Sequence, residues 1–142
     1  MNLMEMVIAL FAVVLFTSVA LNYNRYVQTQ NDLLINATQY VQATQLCHTV
    51  LDEIDSKLFA RMLAFNSIIS TYNNQTRTID LNFPGDTYQI SIQAVSSDSL
   101  GVPITVIPVN NIYRVVKVTA STYGLKFPVT LQRVYTKTHL NL

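Results

Sequence analysis

The sequence predicts an α+β fold: one long N-terminal helix, apolar in its first half and amphipathic in its second, packed on a small antiparallel sheet of three to four strands. Three observations predict it. The stretch MVIALFAVVLFTSVAL over residues 6–21 is almost wholly apolar. The first proline is Pro84 and the first glycine is Gly85, so the strong helix breakers are missing from the whole first half. From residue 76 onward the apolar pattern changes from three- and four-residue steps to alternation.

Composition narrows the function classes. A chain of 142 residues suits one domain. Charged residues make up 12% of the chain, about half the usual share, and the net charge is +1. That balance gives no electrostatic case for nucleic acid or acidic partners. Cys47 is the single cysteine, which excludes an intrachain disulfide.

Taken as helix, Leu3 to Leu21 spans about 28 Å, close to the ~30 Å hydrocarbon core of a bilayer. Glu5 is its only charged residue. Three readings compete. A cleaved secretory signal needs a basic n-region, and no Lys or Arg precedes Arg25. A signal-anchor with its first basic residue after the span favours a cytoplasmic C-terminal part. A chain already processed, with a basic leader removed, accounts for both the missing n-region and the acid near the terminus, and is preferred. The polar stretch NYNRYVQTQND (22–32) then marks a bend, a frayed turn or a membrane–water boundary, with Tyr23, Arg25 and Tyr26 suited to an interfacial belt.

The expected division is a hydrophobic helix over 1–25 and a globular head over 26–142, the head holding an amphipathic helix (26–72) and a sheet (76–138). Leu33/Leu34, Ala37, Tyr40/Val41, Cys47, Val50/Leu51, Ile54, Leu58, Met62, Phe65, Ile68/Ile69 and Tyr72 form one apolar stripe. Asn31, Asp32, Gln39, Gln42, Gln45, Asp52, Asp55 and Ser56 lie on the opposite face. A helix unbroken from 1 to 72 would be about 108 Å long, so a break near Asp55–Ser56 is expected.

The β half follows from residue type and period. DTYQISIQAV (86–95) alternates, and IYRVVKVTASTY (112–123) and LKFPVTLQRVYT (125–136) are rich in Val, Thr, Ile and Tyr. Gly124 reads as a tight hairpin between the last two, and Pro128 places the final strand at an edge or a bulge. NFPGD (82–86) is a turn signal. Residues 95–111 read as a loop with a short strand at 104–107; that loop and Val109–Asn111 are candidates for exposed recognition.

An acid at position 5, an unbroken apolar run over Met6–Leu21, one long helix and a small antiparallel sheet together resemble the type IV pilin superfamily of pilins, minor pilins and type II secretion pseudopilins. The motif covers about the first 25 residues; the rest matches as architecture. The resemblance implies that a prepilin peptidase removes a leader and that Met1 becomes an N-methylated terminus. The apolar helix is then held in the bacterial inner membrane until assembly machinery extracts it into an extracellular helical filament of identical subunits. Glu5 would pair with the N-terminal amine of a neighbour, and Met6, Leu10, Val13, Val14, Phe16, Thr17 and Leu21 would pack between subunits. No cofactor or metal is implied. Asn22 stands where the family often has proline, and the run has no central glycine. The alternatives are a minor pilin or pseudopilin that drives secretion or DNA uptake, or a monomeric signal-anchored periplasmic binding protein.

Other residues read as structure. Cys47 and His48 diverge by about 100° on a helix, so they make no nucleophile–base pair, and Cys47 is expected in the core. His139 reads as a solvated tail residue. Asp52, Glu53 and Asp55, with Lys57 and Arg61 nearby, read as a solvated or subunit-pairing charged face, with Glu53–Lys57 at i,i+4. Asn36-Ala-Thr38 and Asn74-Gln-Thr76 match a glycosylation pattern and are read as unmodified. No phosphate-binding loop or catalytic constellation is visible, so an enzyme is not expected.

Overall fold

The computed structural model describes residues 2–82, 86–105 and 111–137. Its elements are helix α1 (Leu3–Phe59), a single 3₁₀ turn (Phe65–Ser67), helix α2 (Ile68–Tyr72), and strands β1 (Gln75–Asp80), β2 (Thr87–Ser96), β3 (Tyr113–Ser121) and β4 (Val129–Thr136). This is the α+β layout expected, with four strands. The chain divides into two compact units, residues 1–37 and 38–142, and the division falls inside α1.

In the first unit α1 is continuous, including residues 22–32. None of its residues from Asn2 to Ala37 is buried. Leu33 and Leu34, expected on the packing stripe, are exposed.

In the second unit α1 buries Gln39, Ala43, Cys47, Val50, Leu51, Ile54 and Leu58, steps that keep one face of a helix turned inward. The face they meet is made by Tyr88, Ile90, Ile92 and Ala94 of β2 and Val116, Val118 and Ala120 of β3, all within the same core. Each fully buried Leu, Ile or Val contributes ~1.5–3 kcal/mol of transfer free energy. Two face assignments on this part of α1 are corrected here. Val41 is exposed, and Gln39, assigned to the polar face, is 4% exposed. The sheet reaches the helix beside Gln39, where Asp86 and Tyr88 supply polar partners that no helical period can reveal.

The helix stops after Phe59, about one turn beyond Asp55–Ser56. Arg61 takes a left-handed φ of 56°, and the amides of Met62 and Leu63 both donate to Lys57 O, at 2.9 and 3.1 Å. This is a helix-ending left-handed turn made without glycine. It throws Met62 into solvent rather than onto the expected stripe, and Phe65, Ile68 and Tyr72 return to the core.

The sheet is antiparallel throughout in the order β1-β2-β3-β4. β4 is therefore an edge strand, and Pro128 sits just before it, where no ladder hydrogen bond is lost. The β3–β4 connection runs over residues 122–128, so it is longer than the tight hairpin expected at Gly124. Among the described part of 104–107, Ile104 and Thr105 are not in a strand; Ser97 and Pro103 form a single bridge instead. Gly101, at φ +82°, closes this loop against Val134, whose Cγ2 would lie 2.8 Å from an added Cβ. Residues 83–85 of the NFPGD turn, Val109 and His139 lie outside the described residues.

On the outer face the register sets Thr76, Ser91, Thr119 and Thr130 side by side across all four strands. The Thr119 and Thr130 hydroxyl oxygens are 3.0 Å apart.

Candidate functional site

The strongest candidate is the start of α1. Helix needs its first amides capped, and Asn2 and Glu5 do this for each other. Asn2 O accepts from the amides of Glu5 (2.9 Å) and Met6 (3.2 Å), while the Asn2 amide donates to Glu5 Oε2 at 3.1 Å. The side chain of the third helical residue thus returns to the capping residue, one half of a capping box. A carboxylate here is also favoured by the helix macrodipole.

Residues 3–21 are apolar around the whole circumference, a pattern that in proteins belongs to buried or membrane-spanning helices. Here the helix is long and apolar enough to cross a membrane, and none of its most apolar window is buried. Such a helix is compatible with membrane association. At about 100° per residue, Met6, Leu10, Val13, Val14, Thr17 and Leu21 fall within one stripe about 100° wide. Phe16 does not join it; it lies on the flank that carries Glu5. All are exposed. Thr17 donates its hydroxyl to Val13 O at 2.7 Å, so the one polar side chain of the stripe is satisfied by its own helix. Met1 lies outside the described residues.

The charged residues near the end of α1 pair within the chain. Glu53 accepts from Lys57 at 2.5 Å and from Arg77 on β1 at 2.6 Å, while Arg133 on β4 binds both Asp52 and Asp55. Hydrogen bonding by Arg77, then by Lys57, holds the Glu53 carboxyl at about 2. Acids that sequence spacing offers to a neighbouring subunit are therefore already engaged, tying helix to sheet. Among the described residues no cluster of His, Cys, Asp and Glu has metal-holding geometry.

Cys47 is fully buried, and its thiol donates weakly to Val118 O at 3.7 Å; burial pushes the thiol pKa up. A thiol held protonated in the core is a packing group, not a nucleophile. His48 is exposed, on a different side of the helix.

Sequence reasoning missed Arg114. Its guanidinium lies over the Phe65 ring at 5.2 Å and donates to Tyr113 O at 2.9 Å, and burial lowers its pKa. Only its place on β3 was legible, because the ring that it covers comes from a turn about fifty residues away in sequence. No protein-family model, curated protein or solved structure matches this chain.

Proposed function

We propose that this chain is a structural subunit of a type IV pilus-like filament, held in the bacterial inner membrane before assembly. The observation that carries the reading is α1 itself: an acid in the first turn, then an apolar run exposed on every side, in a helix that continues into a folded head. Such a surface is stable only in lipid or against other apolar helices. Moving from one to the other keeps the environment nonpolar, so side-chain packing and the pairing of Glu5 with the N-terminal amine of a neighbour set the stagger. The stripe Met6, Leu10, Val13, Val14, Thr17 and Leu21 forms one helix contact, and Phe16 packs a second.

A role as minor pilin or pseudopilin uses the same surface in shorter assemblies. A monomeric membrane-anchored protein is the competing reading, and the length of the apolar run suits it equally. Electron micrographs of sheared cell-surface fractions, labelled with antibody against this chain, separate them. Long labelled filaments are expected. Label confined to membranes, with no filament of any length, removes the structural reading.

A further inference from the structure

The outer face of the sheet carries a cleft whose chemistry filament packing does not require. It lies where the first residues of β2 meet the last of β3, with Gln89 and Ser121 as cross-strand partners. Its volume is about 330 Å³, and Thr87, Gln89, Ser121, Thr122 and Tyr123 line it. Among the described residues, the side chains of Gln89, Ser121 and Thr122 form no hydrogen bond. Thr87 donates its hydroxyl to Asp80 at 2.7 Å and keeps its lone pairs. Apart from Tyr123, the cleft thus presents the Gln89 amide and the Ser121 and Thr122 hydroxyls, able both to donate and to accept, and the Thr87 hydroxyl as an acceptor. Tyr123 stands beside them fully exposed.

From these groups the geometry points to a binding site for neutral carbohydrate. Sugar hydroxyls both donate and accept, as the lining does, and a pyranose ring presents a C–H face that packs on an aromatic ring. A tyrosine offers that platform at low conformational cost, having few rotatable bonds. The cleft is at the small end of ligand sites, which run from about 300 to 1,000 Å³, so it seats one ring. Beyond it the cross-strand hydroxyl row repeats at the interstrand spacing of about 4.8 Å, a track along which a polymer can repeat its contacts.

Charge argues against other ligands. The cleft lining has no charged side chain of its own, and the charge beside it is the Asp80 carboxylate that Thr87 binds. Phosphate recognition asks for guanidinium or ammonium donors. Single-stranded nucleic acid would stack on Tyr123 but needs a basic groove, and Lys126 is the only cation in the 122–128 loop. A peptide helix needs an apolar groove.

The test uses the full chain in lauryldimethylamine oxide micelles, a detergent without a sugar headgroup. It is titrated separately with maltohexaose, cellohexaose, chitohexaose and oligo(dT), up to about 10 mM, with backbone amide NMR shifts as the readout. At least one hexasaccharide is expected to shift Gln89, Ser121 and Tyr123 saturably. Tyr123→Ala should weaken that binding about tenfold or more, and Tyr123→Phe about twofold at most. Tyr123 is fully exposed, so both variants keep the fold, and unchanged spectral dispersion verifies it. Three outcomes overturn the site: no saturable shift with any sugar, shifts that map elsewhere, or binding insensitive to Tyr123→Ala. A response to oligo(dT) alone assigns the surface to nucleic acid instead.

Discussion

Gln39 on α1 donates its side-chain amide to the Asp86 carboxylate at 2.7 Å, and the peptide of Gly124 lies so close to the same amide that a Cβ there would overlap it. One helix residue therefore holds both the approach to β2 and the β3–β4 connection. Gly124→Ala is expected to destabilise the head by about 1–3 kcal/mol. Removing the obstruction should relieve it: in a Gln39→Ala background the same substitution should cost much less. A double-mutant cycle by thermal denaturation measures the coupling. Additive effects would mean that the amide and the loop do not constrain each other.

Glu53 makes stability depend on acid. Its folded pKa, about 2, lies below the ordinary 4.5. The unfolded chain therefore binds the proton more readily, and the contribution is complete above about pH 4.5 and is lost as pH falls toward 2. With a third of the side chain exposed, solvent screening reduces it to about 1 kcal/mol. Between about pH 5 and about pH 2.5 the wild-type melting temperature should fall a few degrees further than that of Glu53→Gln. Parallel curves for the two proteins would remove Glu53 as the source.

Cys47 should resist iodoacetamide in the folded chain and react at once in denaturant, because the thiolate is disfavoured where it is buried. Mass spectrometry of the intact chain gives the count of added groups. Cys47→Ser places a hydroxyl on the same apolar face and should cost about 1–3 kcal/mol. Rapid alkylation under native conditions would contradict the burial.

Glu5 caps α1 and, in the proposed filament, also pairs with a neighbour's amine; one substitution separates the two roles. Gln preserves the capping hydrogen bond to Asn2 but removes the charge; Ala removes both. In the proposed filament, Glu5→Gln and Glu5→Ala should both abolish assembly while membrane insertion survives. If Glu5→Gln assembles normally and only Glu5→Ala fails, the residue acts as a cap and no amine pairs with it.

Arg61 holds a left-handed φ of 56° that costs an ordinary residue roughly 1–2 kcal/mol. Gly at this position loses part of that gain to greater freedom in the unfolded chain. Arg61→Gly should therefore stabilise the head by about 0.5–1 kcal/mol, whereas Arg61→Ala should not, as calorimetric melting would record.

Local period made much of this fold legible. Cys47, Leu51, Ile54 and Leu58 recur at helical steps and all are buried; Tyr88, Ile90, Ile92 and Ala94 alternate and all are buried. The limits of that signal are physical. Leu33, Leu34 and Val41 share the helical period but are exposed, while Gln39 breaks the apolar pattern and is covered. Periodicity describes what a helix can bury, and only the partner's position decides what it does bury. Gly124 was legible as a break in the strand pattern, but the reason for it lies in a side chain 85 positions earlier. The candidate assembly residues were named from composition alone, because a helix apolar around its circumference is compatible with a surrounding membrane or with packed helices.

Because the first buried residue of α1 is Gln39, substitutions across 3–37 meet little resistance from folding of the head. Beyond the demands of the helix and its cap, restriction of variation along that segment would come, in the proposed assembly, from molecules packed on it. Residue-by-residue tolerance there, compared with that of the core, would trace the outline of the partner on the helix.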